Sequence, residues 1–386
     1  MQILITGAAG FIGFNLSKYL LDKSNVKIIG VDSLNTYYSK KLKKDRIKEL
    51  SKYKNFAFFN LNILNKKKLE KIFKIRKIKL VINLAAQAGV RYSLVKPSEF
   101  IENNVQGFYN IIEVAKKYKI KRIIYASSSS VYGDSRKFPL KETQNISPKN
   151  IYALSKKINE EMADIFSRQY DISFIGLRFF TVYGEWGRPD MFMMKYLSSS
   201  FNGKIKFYLN NFGKHTRDFT YILDACKIIS RLIFSKKYFK NEIFNICSNN
   251  PQNLTEIITK INSLTGKKPK LFKRKLQQAD VVKTHGDNKK IKSFIGKQTN
   301  DLLFQNQLPD TFGFGIGLAL GIVLEKDLKN GGTGTAGTLL GGGYWNTSCF
   351  TDPNDKVIGI IFKQTQKIPD NSSNLFKRAV ISAIVK

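Results

Sequence analysis

The chain has 386 residues, 42% of them hydrophobic, enough for two or three domains with sizeable cores. A formal charge of +36 invites a nucleic-acid reading, but only 12 of the 65 basic residues are arginine and the lysines are spread along the chain. That is lysine-rich composition rather than a focused patch, so no specific nucleic-acid partner is expected.

Three scattered cysteines, Cys226, Cys247 and Cys349, speak against a disulfide framework or zinc site and for a reducing, cytoplasmic compartment. Strand-like residues from Gln2 leave no leader segment, and no metal or membrane partner is expected. The longest apolar run, 312–324, is short and glycine-rich for a membrane span.

In chain order, apolar runs at 3–6, 26–32, 56–59, 80–85, 122–127 and 173–179 predict strands, separated by amphipathic helical stretches. Strands alternating with helices predict an α/β fold with a doubly wound parallel sheet and right-handed crossovers, through about residue 180. Residues 181–298 are more irregular, as expected of a smaller lobe closing over a ligand at the carboxyl ends of the strands. Lysine clusters at Lys40-Lys41-Lys43-Lys44 and Lys66-Lys67-Lys68 are expected on solvated helix faces. Their positive field would attract an anionic substrate such as a nucleotide sugar. At about Thr299 the character changes: Gly313, Gly315, Gly317 and Gly321 alternate with apolar residues, and Gly341-Gly342-Gly343 follows. Residues 299–386 read as a separate glycine-rich unit of strands ending in a helix at 374–385.

The first strand runs into Gly7, Gly10 and Gly13, and the helix after them places Ile12, Leu16, Tyr19 and Leu20 at helical spacing. Glycine there lets a pyrophosphate approach the helix N-terminus, with Phe11 and Ile12 at its start. Asp32 closes the second strand, where its carboxylate suits the ribose hydroxyls of NAD and would repel the extra phosphate of NADP. Asn62 and Ile63, after the third strand, are placed to flank the adenine.

The reacting centre is predicted at Tyr152 and Lys156, one helical turn apart in a stretch spanning 150–170, with Ser128 at the end of the 122–127 strand. A tyrosine with a reference pKa near 10 is a poor base at neutral pH, and an adjacent ammonium favours its phenolate. Ser128 would share a substrate hydroxyl with Tyr152.

These residues resemble the extended short-chain dehydrogenase/reductase superfamily, and within it the UDP-glucuronate 4-epimerases, over residues 1–298. The resemblance is carried by Leu84-Ala85-Ala86-Gln87-Ala88-Gly89-Val90-Arg91-Tyr92-Ser93, Ala126-Ser127-Ser128-Ser129-Ser130-Val131-Tyr132-Gly133 and Arg178-Phe179-Phe180-Thr181-Val182-Tyr183-Gly184. Trp186-Gly187-Arg188-Pro189-Asp190-Met191 and Arg217-Asp218-Phe219-Thr220-Tyr221 add to it. It implies a Rossmann-type NAD-binding domain over 1–180 and a substrate lobe over 181–298. It also implies NAD contacts at Ala85, Ala86 and Asn104, with Tyr125 nearby. On the substrate side it implies Arg91, Ser127 and Ser128, with Thr181 and Arg188 on the sugar carboxylate and Arg217 on the diphosphate. A homodimer through helices at about 101–117 and 150–170 is implied as well.

The resemblance implies NAD-dependent inversion at C4 of a UDP-hexuronic acid, UDP-glucuronate to UDP-galacturonate, through a 4-keto sugar. A UDP-glucose/galactose 4-epimerase is the enzymatic alternative, and Arg188 separates the two because a neutral sugar gives it nothing to pair with. Ser128-Ser129-Ser130 lacks the acid that related 4,6-dehydratases and decarboxylases carry there. The chain departs from the pattern at Asn83, Leu223 and Glu185, the last expected to bring a negative charge near Arg188. In the tail, Asn306-Gln307-Leu308-Pro309, Gly342-Gly343 and Asp352-Pro353 resemble the end of serine β-lactamase-like hydrolases. Residues 299–386 hold no Ser-x-x-Lys nucleophile motif, so a non-catalytic fused fragment is expected.

Overall fold

A computed structural model describes residues 1–203 and 205–294, together with five strand segments in the tail. The chain divides into two compact units, Met1–Ile291 and Lys292–Lys386. The first unit opens with β1 (Gln2–Thr6), α1 (Phe11–Lys23), β2 (Lys27–Asp32), α2 (Lys40–Leu50), β3 (Phe56–Asn60), α3 (Lys66–Ile75) and β4 (Leu80–Asn83). A short α4 (Pro97–Phe100) and a π-helical stretch, Ile101–Gln106, lead into α5 (Gly107–Lys117), β5 (Arg122–Ser128), α6 (Ile151–Gln169) and β6 (Ser173–Phe179). Then come β7 (Thr181–Tyr183), α7 (Phe192–Phe201), β8 (Phe207–Asn210), β9 (Thr216–Tyr221) and α8 (Ile222–Phe234). The last are β10 (Asn241–Ile246), β11 (Pro251–Asn253), α9 (Leu254–Thr265) and β12 (Leu271–Arg274).

Seven parallel strands form the main sheet in the order β10-β6-β5-β4-β1-β2-β3. The order reverses between β1 and β4, and a crevice opens there at the carboxyl ends of the strands. Helices cover both faces, so β6 is buried at all seven positions. One core cluster joins Leu4, Val81 and Ile123 of the strands to Phe108, Ile111 and Ile112 of α5. Each such side chain contributes about 1.5–3 kcal/mol by leaving water.

The six predicted strands are all present, with two instructive differences. β4 stops at Asn83 rather than Ala85, because the Ala85 amide leaves the ladder and donates to Thr6 Oγ1 at 3.2 Å. The seventh strand, β10, was not anticipated. After β9 the chain returns to the large sheet, with α8 against α1 and β10 beside β6. In α1, Leu16 and Leu20 are buried as expected, but Phe14 joins them while Ile12 lines the crevice. Lys43 departs from the solvated-face expectation: it is buried, donating to the backbone and side-chain oxygens of Asn35 at 2.9 and 2.6 Å.

Beside the main sheet lie a three-stranded sheet, β11-β9-β7, and a two-stranded one, β12-β8. The second unit contains a five-stranded antiparallel meander, β13 (Gly315–Gly317), β14 (Leu320–Ile322), β15 (Leu339–Gly342), β16 (Ser348–Asp352) and β17 (Val357–Ile361). The helix expected at 374–385 and the run from Asn306 to Pro309 lie outside the described residues. No helix among the described residues is long and apolar enough to cross a membrane.

Candidate active site

The crevice is built first by the turn after β1. Gly7 sits at φ +73°, and a Cβ there would lie 2.7 Å from the Ala85 nitrogen. A Cβ on Gly13 would lie 2.1 Å from the Gly7 carbonyl oxygen, so α1 can pack this close only on glycine. Gly10 is the N-cap of α1 and offers no side chain to its first amides. Those amides face the crevice beside Phe11 and Ile12, as an anion-binding helix start requires.

Asp32, at the end of β2, accepts from the amides of Ala9 at 3.1 Å and Leu34 at 2.8 Å, and burial pushes its carboxyl above the usual range. Asn62, Ile63, Ala85 and Ala86 line the same crevice. Asn104 lies behind it. Its Oδ1 accepts from the Gln87 amide at 2.7 Å, while its Nδ2 donates to the Gln87 carbonyl and to Ser155 Oγ. Asn104 therefore shapes the 85–87 loop from the π-helical stretch, and Tyr125 is fully buried in the core. The glycine cradle, the open helix start and the Asp32 carboxylate lining the crevice together fit a dinucleotide.

The residues expected to form the reacting centre stand further along the crevice. Asn150 caps α6 by accepting from the Ala153 amide at 2.9 Å, and Tyr152 and Lys156 follow one turn apart. Lys156 Nζ donates to the Ala126 carbonyl at 2.8 Å, and burial lowers its ammonium to about 8. Ser128 Oγ accepts from the Ser130 amide at 3.2 Å. Ser127 lines the crevice, but its hydroxyl donates to buried Glu160 at 2.6 Å, which also receives the fork of Arg178.

A second hollow shares Ser128, Tyr152, Phe180 and Arg188 with the crevice and extends over the lobe. Thr181 opens β7 on its wall. Arg188 forks onto Asp190 at 3.0 and 2.5 Å, and the Tyr37 hydroxyl donates to the same carboxylate at 3.1 Å. Burial works against the Arg188 charge, but Asp190 outweighs it and holds the guanidinium proton above its ordinary range. Burial likewise pushes Tyr37 to about 12. Glu185, expected near Arg188, instead accepts from the Tyr221 hydroxyl at 2.7 and 2.9 Å. Leu223 is exposed on the first turn of α8, and Asn83 accepts from Thr6 Oγ1 at 2.6 Å.

At the far end of this hollow Arg91 forks onto Asp280 at 3.0 and 2.7 Å and is also held by the Asn210 amide oxygen. Arg217 donates to the carbonyls of Thr216, Val281 and Val282 at 2.5–3.0 Å, and burial lowers it to about 10. His215 beside them is pushed down to about 4 by burial and is neutral at working pH. Two guanidiniums, one carboxylate and a neutral imidazole leave a net positive hollow suited to a diphosphate. Among the described residues no cluster of three His, Cys, Asp or Glu side chains could hold a metal.

Asp190, Asp280 and Tyr37 were not anticipated as site residues. Asp190 could have been singled out from the Trp186–Met191 run, whereas Asp280 pairs across 189 residues and left no local signal.

The sequence matches the NAD dependent epimerase/dehydratase family over residues 3–247. It is 42% identical to Protein CapI of Staphylococcus aureus over 305 residues, covering 74% of this chain and 90% of that protein. It is 38% identical to a UDP-glucuronate 4-epimerase of Thermodesulfobacterium geofontis over 297 residues, covering 76% of this chain and 89% of that one. The fold superposes on the crystal structure of UDP-glucuronic acid 4-epimerase from Bacillus cereus, in complex with UDP-glucuronic acid and NAD. That superposition has a TM-score of 0.73 at 30% identity, over 77% of this chain and 93% of that one.

Proposed function

The chain belongs to the NAD dependent epimerase/dehydratase family, and we propose that it inverts C4 of a UDP-hexuronic acid, interconverting UDP-glucuronate and UDP-galacturonate. The observation that carries this reading is Arg188, a guanidinium facing the same space as Tyr152 and Ser128. Asp190 takes Nε and Nη2 of that fork, and a uronate carboxylate can accept from the remaining Nη1 with charge assistance where a neutral hexose cannot.

NAD would lie along Gly7, Gly10, Phe11, Ile12 and Gly13 with its adenosine ribose on Asp32, and it supplies the acceptor that takes the C4 hydride and returns it. Tyr152 removes the proton of the 4-hydroxyl while Ser128 holds that oxygen by a hydrogen bond. Lys156, one turn away, supports the phenolate with its charge. Arg91 and Arg217 grip the nucleotide diphosphate while the 4-keto sugar turns about its link to the phosphate. Tyr152 then returns the proton to O4 on the inverted centre. Thr181 and Arg188 hold the carboxylate. That grip also protects the intermediate, a β-keto acid that loses CO2 if its carboxylate rotates into line with the ketone.

A homodimer through α5 and α6 is supported by exposed apolar side chains there, Tyr109, Leu154 and Ile165. Cys226 and Cys247 are buried free thiols, which fits a reducing, cytoplasmic setting. The test of function is to incubate the purified protein with UDP-glucuronate, without added NAD, and separate the products. UDP-galacturonate is expected; conversion of UDP-glucose alone would favour the neutral-sugar reading.

A further inference from the structure

Three consecutive carbonyls precede Arg188, those of Glu185, Trp186 and Gly187, and each accepts a hydrogen bond from a side chain of the cofactor half. Asn15 of α1 donates to Glu185 O at 3.2 Å, and Arg46 of α2 donates to Trp186 O and, at 3.4 Å, to Gly187 O. The same Arg46 fork reaches back to Ala9 O of the glycine-rich turn at 2.8 Å and to the Tyr38 hydroxyl at 2.8 Å. Trp186 is held at φ +58°, a conformation uncommon outside glycine, with its ring 5.0 Å from that of Phe14 on α1.

Arg46 is 0% exposed, and its hydrogen bonds go to the carbonyls of Ala9, Trp186 and Gly187 and to the Tyr38 hydroxyl, with no carboxylate among these partners. A fully buried guanidinium bonded mainly to carbonyls, its Nε left without a partner, is an expensive way to fix a helix to a loop. An apolar side chain would pack α2 at lower cost. What the guanidinium does that no apolar residue can is bond the glycine-rich turn and the 186–187 turn at once.

We propose that Arg46 is a positioning residue for uronate recognition: bridging Ala9 to the Trp186–Gly187 carbonyls, it sets where Arg188 stands over Tyr152. The order of the glycine-rich turn and the affinity for the sugar carboxylate are thereby coupled. This rests on the reading of Arg188 as the carboxylate ligand.

The test is calorimetric binding of UDP, UDP-glucose and UDP-glucuronate to the full chain, with Tyr152→Phe as the parent so that turnover does not intrude. Arg46→Met, Arg46→Lys and Asn15→Ala are added to it singly. In Arg46→Met the affinity for UDP-glucuronate should fall about tenfold, the effect of one weakened charge-assisted contact, with UDP and UDP-glucose within about twofold. Arg46→Lys, which cannot span both turns, should follow it, and Asn15→Ala should move the same way by about threefold. Equal loss on all three ligands, or an unchanged preference in folded variants, overturns the proposal. If Arg46→Met does not fold, Asn15→Ala decides by the same criterion. A parent with no preference for UDP-glucuronate overturns the uronate reading and this proposal together. A parent with the preference and variants that keep it overturn the proposal alone.

Discussion

Replacing Arg188 by alanine should separate uronate from neutral-sugar chemistry. Asp190 occupies Nε and Nη2 of the fork, which leaves Nη1 for a substrate carboxylate. Losing that charge-assisted contact costs about 1.5–3 kcal/mol, or about 10- to 150-fold in kcat/KM. A second effect adds to the first. Asp190, whose carboxyl burial raises but Arg188 holds below its usual range, would stand unpaired and repel an incoming uronate. A neutral hexose feels neither loss. The assay compares kcat/KM of Arg188→Ala and the parent on UDP-glucuronate and UDP-glucose, with product separation. UDP-glucuronate use should fall by the full factor and UDP-glucose use by little. A UDP-pentose should accumulate as the freed carboxylate of the keto sugar leaves as CO2. Equal loss on both sugars would refute the assignment.

Tyr152→Phe should keep bound NAD, read by its absorbance after denaturation, yet lose about 10²–10⁴ in rate as general acid–base catalysis is removed; near-parental turnover sinks the mechanism. Lys156→Met should slow the reaction, because the phenolate loses its neighbouring charge. The same variant tests burial. The folded Lys156 pKa of about 8 lies below the unfolded 10.5, so the unfolded chain holds the proton more tightly and stability rises with pH between those values. Cofactor-free Lys156→Met should therefore be more stable than the parent below pH 8 by roughly 3 kcal/mol, with the gap closing towards pH 10.5. A pH-independent difference in Tm would contradict it. A chain shortened to end at Gly296 should still bind NAD, and proteolysis of the full chain should cut the tail first; loss of NAD binding on shortening would show that the tail has joined the enzyme fold.

Much of the fold was legible because its signals are local. The glycine turn after β1, the carboxylate closing β2 and the capped helix holding Tyr152 and Lys156 each announce themselves within a few residues. β10 was not legible for a physical reason: its sequence mixes polar and apolar residues. Asn245 is buried there with partners that include Tyr132 and Leu140, more than a hundred residues away, and Asp287. Lys43 reads as a member of a solvated lysine cluster and Arg46 carries no local signal, and their burial is imposed by the 33–38 loop and by the 186–187 turn, the latter 140 residues from Arg46. The arginines of the nucleotide hollow were visible as residue types. Their placement by Asp280 and by the carbonyls at 281 and 282 was not, since that geometry exists only once the lobe has folded.

The most direct test of the central claim is the fate of the hydrogen at C4. UDP-glucuronate deuterated at C4 should yield UDP-galacturonate with the deuterium still at C4, in ordinary water and without added NAD, because the hydride removed from one face returns to the other within a single active site. Washout of the label into solvent, or no UDP-galacturonate at all, would contradict the account.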